Sequence, residues 1–384
     1  MSEITKKDMC CGCHACYNIC PKNAITMIED KKGFMYPVIN HDKCINCGLC
    51  KKVCPILNNK KEDKKQIEAY ACYNLNEYER MNSSSGGIFI LIAKEIIGRG
   101  GVVFGASFDD NFNVIHSYVD SEEYVRKFMT SKYTQSSIGN IYKKVKEFLN
   151  DNRYVLFTGT PCQIEGLKSY LRKDYAKLYT QDIICHGVPS PKVWKKYVKY
   201  QEEKYNDKAC KISFRNKDFG WTLYSTKIEF KRVTYSYIHS NDLFMKAFLS
   251  NICLRDSCYN CSFKKKYRVS DITLADYWGI NNVHSDMNDD KGVSLIIVNS
   301  DKGRELFHSL KNNLKYVQTN LEDALKYNPA MIESANHSDN EKNFFDDIDC
   351  IDFDKLVKKY IPNTPLHVKI VNKIKYVIKK VFKI

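Results

Sequence analysis

Residues 10–21 read CCGCHACYNICP, and residues 44–55 read CINCGLCKKVCP. Each stretch contains four cysteines in the pattern C-x2-C-x2-C-x3-C, followed directly by proline. This is the bacterial pattern for two 4Fe-4S clusters, in which three cysteines of a run bind one cluster and the fourth binds the other. Two such runs in tandem are a far more specific signal than one. The sequence therefore predicts two cubane clusters near its beginning.

The crossed arrangement of the fourth cysteine assigns the ligands of each cluster. We expect the first cluster to be bound by Cys10, Cys13, Cys16 and Cys54, and the second by Cys44, Cys47, Cys50 and Cys20. A pair of zinc sites is the alternative, but it would leave the crossed fourth cysteines unexplained. Cys11 is surplus to the pattern, and we do not expect it to be a ligand.

The segment between the two runs predicts a small hairpin, with strands at 25–28 and 34–39 joined by a turn through Lys32 and Gly33. The run NNKKEDKKQ at residues 58–66 contains no apolar residue and is typical of a linker. We therefore expect a two-cluster ferredoxin domain over residues 1–57, followed by a linker over 58–66.

Composition narrows the class of protein. The 17 cysteines cluster in metal-binding spacings, which favours a reducing cytoplasm over a disulfide scaffold. We expect no secretory signal, and no apolar run has transmembrane length. Each oxidised 4Fe-4S cluster with its four thiolates carries a charge of about −2. The two clusters above and a third, described below, would together lower the formal charge of +15 to roughly +9. The lysines are spread along the chain without a nucleic-acid-binding motif, so we expect no nucleic acid and favour acidic redox partners or an anionic membrane surface.

Beyond the linker, predicted strands and helices alternate, which indicates a mixed α/β core. From 211 to 238 the pattern changes to consecutive strands, so an antiparallel portion is expected. The fold class predicted for the whole chain is α+β, with a bacterial-type ferredoxin domain fused to a mixed α/β domain.

A third group of cysteines lies in CLRDSCYNC, at Cys253, Cys258 and Cys261. Three cysteines within nine residues of a reduced protein indicate a metal or cluster site. A third 4Fe-4S cluster would need a fourth ligand, for which we choose Cys185, with Cys162 as the alternative. Either of these two cysteines could instead be a small buried apolar residue.

Two loops have the composition of a phosphate-binding site. TGTPCQIEGL, from Thr158, and SSSGGIF, from Ser83, each place glycine or hydroxyl side chains just before a predicted helix. Free N–H groups at helix N-termini bind phosphates, so two such loops suit a dinucleotide such as FAD. An ordinary strand–helix turn is the alternative, and the GxGxxG fingerprint is absent.

Several segments together resemble the coenzyme F-420 hydrogenase/dehydrogenase beta-subunit family: SSSGGIF, SKYTQSS, VLFTGTPCQIEGLK, DIICHGVPSPKVW, CLRDSCYNCSFK and SDITLADYWGI. The resemblance runs from about Glu68 to about Val298 and implies a flavin-binding region at 67–150 and a second region at 151–345 that holds flavin and the third cluster. It implies FAD close to a 4Fe-4S cluster. The implied flavin-site residues are Ser83, Ser84, Ser85, Gly86, Gly87, Tyr133, Thr158, Gly159, Thr160, Pro161 and Gln163.

The function that follows is an iron–sulfur flavoprotein oxidoreductase. We expect it to take electrons from an external donor such as ferredoxin, pass them through the clusters to FAD, and reduce an unidentified small-molecule or lipid-linked acceptor. The resemblance extends to bacterial proteins associated with surface-polysaccharide synthesis. The alternative is a non-catalytic electron-transfer subunit that feeds a partner enzyme. No catalytic residue is assigned; His186 could donate a proton, although a packed turn residue is the favoured interpretation.

Residues 363–384 predict a basic amphipathic helix, with Ile370, Ile374 and Val381 on its apolar stripe and lysines on the other faces. Such a helix can lie on an anionic membrane surface, or it can dock on protein. The expected location is therefore the cytoplasm, with peripheral contact to the inner face of the membrane if the first alternative holds.

Overall fold

The computed structural model of the chain describes residues 4–59, 62 and 64–361. The proposed C-terminal helix at 363–384 lies outside the described residues. The first part of the structure contains an antiparallel hairpin and two short helices: β1 (Ile25–Glu29), β2 (Met35–Ile39), α1 (Ala15–Ile19) and α2 (Leu49–Lys52). The turn between β1 and β2 forms because the Asp30 carboxylate accepts hydrogen bonds from the N–H groups of Lys32 and Phe34, both at 3.0 Å.

The larger part of the described chain is built on two further sheets. Their strands are β3 (Glu68–Asn74), β4 (Val102–Phe108), β5 (Val114–Val119), β6 (Val155–Thr158), β7 (Leu178–Ile183), β8 (Ala209–Asn216), β9 (Ser225–Phe230), β10 (Thr234–Ile238), β11 (Ile272–Asp276), β12 (Ser294–Val298) and β13 (Leu314–Thr319). The main sheet has the order β13-β3-β12-β11-β7-β6-β4-β5, and β8, β9 and β10 form a separate antiparallel sheet. The strands β11, β7, β6 and β4 are mutually parallel, while the pairs outside them are antiparallel.

Helices cover the sheets and connect the strands. They are α3 (Glu77–Met81), α4 (Ile88–Gly98), α5 (Glu122–Val125), α6 (Ile141–Asn150), α7 (Pro161–Leu171), α8 (Pro191–Tyr205), α9 (Leu243–Leu249), α10 (Ile280–Val283), α11 (Asp301–Leu310), α12 (Leu321–Leu325), α13 (Glu341–Asp347) and α14 (Phe353–Tyr360). Both α7 and α8 begin with proline, which is tolerated where no intrahelical N–H bond is needed. None of the described helices is long and apolar enough to cross a membrane.

The fold confirms the expected α+β class, with a ferredoxin-type domain in front of a mixed α/β body. Strand β7 ends at Ile183, where its pairing with β11 also stops. The sequence interpretation did not include β3, β5 or β13. All three of these strands pair antiparallel with their neighbours at or near the edges of the main sheet.

The N-terminal domain and the body share one hydrophobic core. Cys11 and Cys13 pack in the same buried cluster as Phe157 and Ile164 of the body. The approach is close: a Cβ added at Gly166 of α7 would lie 2.8 Å from the Cβ of Cys13. The first cysteine run is therefore packed directly against α7.

Candidate iron–sulfur and cofactor sites

The candidate sites lie where parallel strands end. Because β6 and β7 are parallel, the residues that follow them emerge at the same edge of the sheet. Cys162 follows β6 by four residues, and Cys185 follows β7 by two. The two cysteines that the sequence offered as alternatives are therefore brought to one place.

A cavity at this edge is lined by Cys11 of the first cysteine run and by four cysteines of the body, Cys162, Cys185, Cys258 and Cys261; we call it the four-cysteine cavity after these four. Every pair among the four interacts electrostatically. Cations line the cavity as well, since Arg255, Lys264 and Arg268 reach it. Four thiols and three cationic side chains around one cavity suit an anionic iron–sulfur cluster.

Cys253 lies apart from this cavity. It is fully buried in a hydrophobic cluster with residues such as Trp194 and Phe248, and its backbone carbonyl accepts a hydrogen bond from the N–H of Ser190. It was expected as a ligand because it precedes Cys258 and Cys261 in the sequence. The structure turns its side chain into the core, so we replace it in the proposed ligand set by Cys162.

The cavity favours protonated thiols while no metal is bound. Burial raises the pKa of Cys185 to about 12 and raises the pKa of Cys258 further. A metal must therefore displace these protons, which is the usual coupling between cluster binding and ligand ionisation. One N–H group already points at a ligand sulfur, since Val188 N donates to Cys258 Sγ at 3.5 Å.

The structure also groups the cysteines of the two N-terminal runs as the crossed assignment requires. Cys20 lines one cavity together with Cys44, Cys47 and Cys50. Cys54 lies beside Cys10 and Cys16, with which it interacts electrostatically.

The segments expected to bind flavin meet along residues 131–136. At one end of this segment, the Ser131 N–H donates to Ser84 Oγ at 2.8 Å. At the other end, Gln163 Nε2 donates to Ser136 Oγ at 2.9 Å. The loop at 83–87, the loop at 158–163 and Tyr133 between them thus belong to one continuous region beside the four-cysteine cavity, which Thr160 and Pro161 also line.

The two loops differ in whether their backbone N–H groups are free to bind a phosphate. In the second loop, the N–H of Gly159 donates to Gln181 O at 3.1 Å and that of Thr160 donates to Gln163 Oε1 at 2.9 Å. These two groups are therefore not available to a phosphate, contrary to the sequence interpretation of this turn. The start of α4 is different, because Gly87 caps it with a φ of +77° and no side chain caps its N–H groups.

Buried cations surround the first loop. Arg215 forms a bidentate ion pair with Asp276, with both distances 2.8 Å, and also donates to Tyr133 Oη and to the carbonyl of Ser84. Lys217 Nζ donates to the carbonyl of Ser85 at 2.7 Å. These hydrogen bonds hold the loop at 83–87 in a fixed conformation. Asp276 balances the charge of Arg215, and burial lowers the pKa of Lys217 to about 7.

His186 lines the four-cysteine cavity, and its Nε2 lies 2.6 Å from Asn251 Oδ1. Burial lowers the pKa of His186. Its ring stands edge-on to Phe248, whose ring contacts Tyr133 with centroids 5.0 Å apart. His186 is thus both packed and next to the site, which agrees with either of its sequence interpretations.

Sequence reasoning missed three parts of this arrangement. It treated Cys162 and Cys185 as alternatives, although consecutive parallel strands that each end before a cysteine predict both at one edge. It also left Cys11 without a role, whereas Cys11 lines the cavity with Cys162. Arg255 lies within CLRDSCYNC, between Cys253 and Cys258, but the sequence analysis considered only the cysteines of that segment.

Fold and site define an iron–sulfur protein, and comparison with known families agrees. Residues 9–57 match the 4Fe-4S dicluster domain, and residues 152–324 match the family described as the C terminus of the coenzyme F420 hydrogenase/dehydrogenase beta subunit. Residues 152–324, which make up less than half of the chain, are therefore similar to that beta-subunit family, and a dicluster domain precedes them. The chain is an iron–sulfur electron-transfer protein related to F420 hydrogenase beta subunits.

Comparison with curated proteins finds no match. Among solved structures, a chain of the xenon-derivatised F420-reducing NiFe hydrogenase complex from Methanosarcina barkeri is similar, at 16% sequence identity and a TM-score of 0.49. The similarity covers 75% of this chain and 95% of that chain.

Proposed function

We propose that this chain is a flavin-dependent oxidoreductase that takes single electrons from an external donor, such as ferredoxin, and delivers them through three 4Fe-4S sites and FAD to an acceptor. One observation carries the proposal: a single cavity is lined by four cysteines of the body, by Cys11 of the first run, and by Thr160 and Pro161 of the loop at 158–163. Bound clusters would supply one-electron chemistry, and FAD would convert it to two-electron chemistry.

The residues around the cavity hold and shield the third site. Cys162, Cys185, Cys258 and Cys261 are its proposed ligands. The ammonium group of Lys264 donates to the carbonyls of Cys185 at 2.5 Å and of Ala330 at 2.6 Å, which fixes the backbone of one ligand and brings a positive charge close to it. Such a charge stabilises an anionic cluster in a buried setting.

The flavin is proposed to lie along residues 131–136, with its phosphates at the start of α4. The N–H groups after Gly87, which no side chain caps, support this placement, because helix N-termini favour phosphate. The ring of Tyr133, within residues 131–136, contacts that of Phe248.

The composition of the purified protein tests the proposal. Anaerobically reconstituted protein should contain about twelve irons per chain and one FAD. About twelve irons without flavin would instead support a non-catalytic electron-transfer subunit that feeds a partner. About eight irons would reject the third site.

A glycine pair tests the position of the flavin. Gly87 and Gly100 have similar left-handed conformations, with φ of +77° and +73°, but only a Cβ at Gly87 would meet neighbouring atoms. Gly87→Val should release FAD while the iron content stays complete, and Gly100→Val should keep both. Full flavin occupancy in Gly87→Val would reject the assignment of this loop.

A further inference from the structure

A single arginine connects the N-terminal domain to the body at the candidate sites. Arg255 is 0% exposed, and its guanidinium donates to three segments: Nε to Cys10 O at 2.6 Å, Nη1 to Gln135 Oε1 at 2.8 Å and Nη2 to Met35 O at 3.1 Å. It also lies 4.1 Å from the centroid of the Tyr36 ring. Arg255 therefore holds the first cysteine run, the hairpin and the segment at 131–136 together.

The charge of Arg255 has no carboxylate partner. None of the ion pairs among the residues that the structure describes includes it, whereas the buried Arg215 pairs with Asp276 and the buried Arg268 pairs with Asp182. A buried charge without a counter-charge is costly. Arg255 interacts electrostatically with Tyr36 and then with Cys10, Cys11 and Cys258. Burial raises the pKa of Tyr36, so cysteines are the groups left to carry a negative charge beside Arg255.

Arg255 thus lies between two proposed ligand sets. It lines the four-cysteine cavity together with Cys11, and it bonds to the carbonyl of Cys10 in the first set. The contact with the first run is tight, since a Cβ added at Gly12 would lie 2.8 Å from Nη1 of Arg255.

We propose that Arg255 is the positioning residue of the junction between the first and third iron–sulfur sites. Its charge stabilises an added electron at both sites, and its hydrogen bonds fix their separation. The junction passes one electron from the first site, which is oxidised, to the third, which is reduced, and the electron comes from an external one-electron reductant. The inference rests on the proposed function, because it requires the third site.

Redox titration of the fully loaded protein, followed by electron paramagnetic resonance, tests the role of the charge. Arg255→Met removes the charge while keeping an unbranched side chain of similar length. The first and third sites should become harder to reduce, with the reduction equilibrium of each falling about threefold or more. The second site, bound by Cys20, Cys44, Cys47 and Cys50, should be unchanged and serves as the internal control.

A second variant keeps the proposal testable if Arg255→Met does not assemble. Gln135→Glu replaces the partner of Nη1 by a carboxylate of the same shape, which neutralises the arginine without removing it. It should shift the first and third sites in the same direction, while Gln318→Glu, an equal charge change on the exposed strand β13, should not.

Arg255→Lys separates charge from position. Lysine keeps the charge, but its ammonium group lacks the planar geometry with which arginine donates to Cys10, Gln135 and Met35 at the same time. The potentials should remain near those of the unmodified protein, while the rate of electron transfer from the first to the third site, measured after rapid reduction, should fall.

The outcomes distinguish the two proposals. Unshifted potentials at the first and third sites in an iron-complete Arg255→Met or Gln135→Glu protein would overturn the role of Arg255, as would an equal shift at the second site. Unmodified protein with only about eight irons would instead overturn the proposed function itself.

Discussion

The two N-terminal cysteine runs have the same backbone but opposite surroundings. In the first run, Gly12 and His14 have positive φ angles of 65° and 61°; in the second, the equivalent Asn46 and Gly48 have 54° and 70°. In both runs, three cysteine sulfurs must converge from one short loop, and the positive φ angles give the backbone the tight turns that this requires. The backbone geometry is therefore common to the two runs, and their roles must come from what surrounds them.

The first run packs against the body, while the second run is exposed to solvent. Cys13 is buried against α7, whereas Cys47 is exposed and Ile45 is 56% exposed. The exposed residues close to the second site include four lysines: Lys22, Lys43, Lys51 and Lys52. Under the proposed function, we expect electrons to enter at the second site and to reach the body through the first.

The largest difference in stability between the two runs should appear when one cysteine ligand is removed from each. Cys13→Ser and Cys47→Ser should each lose one cluster and retain about eight irons. Only Cys13→Ser also places a hydroxyl in the shared core, beside Gly166, so it should lower the free energy of unfolding by about 1–3 kcal/mol more. Denaturant unfolding under argon measures the difference, and equal losses in the two variants would show that the first run is not part of the core of the body.

A smaller contrast comes from the glycines. Gly48→Ala imposes only the left-handed strain of about 1–2 kcal/mol, because a Cβ there meets nothing within 4 Å. Gly12→Ala imposes the same strain and also displaces Arg255 and Gln135, so it should cost at least about 1 kcal/mol more. Unfolding free energies of the two variants measure this, and a Gly12→Ala protein as stable as Gly48→Ala would argue against a tight junction.

The smallest contrast concerns the lysines of the second site. Lys43→Glu combined with Lys51→Glu should slow reduction by an acidic protein donor several-fold at low ionic strength, and the effect should fade with salt. Reduction by dithionite should be unaffected. The control pair Lys199→Glu and Lys204→Glu, on α8, changes the charge equally; if it slows the protein donor as much, then net charge rather than the second site guides the donor.

The sequence predicted those features in which local spacing determines structure. The two cysteine runs, the hairpin between them and helices such as α7 follow from ligand spacing, turn residues and apolar periodicity. The grouping of Cys20 with the second run could be predicted for the same reason, because the crossed ligation is a property of the motif.

The features that the sequence could not predict depend on long-range packing. Cys253 and Cys258 are close in sequence, yet only a folded chain shows that one side chain enters the core and the other enters the cavity. Arg255 belongs to the third cysteine group, but it contacts residues some 220 to 245 positions away, at Met35 and Cys10, so its role could not be predicted from the local pattern. The edge strand β13 and its neighbour β3 were also missed, because they pair with strands that lie far away along the chain.

The central claim is that Cys162, Cys185, Cys258 and Cys261 form a third cluster site and that Cys253 does not take part. The most direct test is the iron content of anaerobically reconstituted Cys162→Ala and Cys253→Ala proteins. We expect Cys162→Ala to retain about eight irons per chain and Cys253→Ala to retain about twelve. The opposite result, with iron lost from Cys253→Ala and complete in Cys162→Ala, would contradict the account.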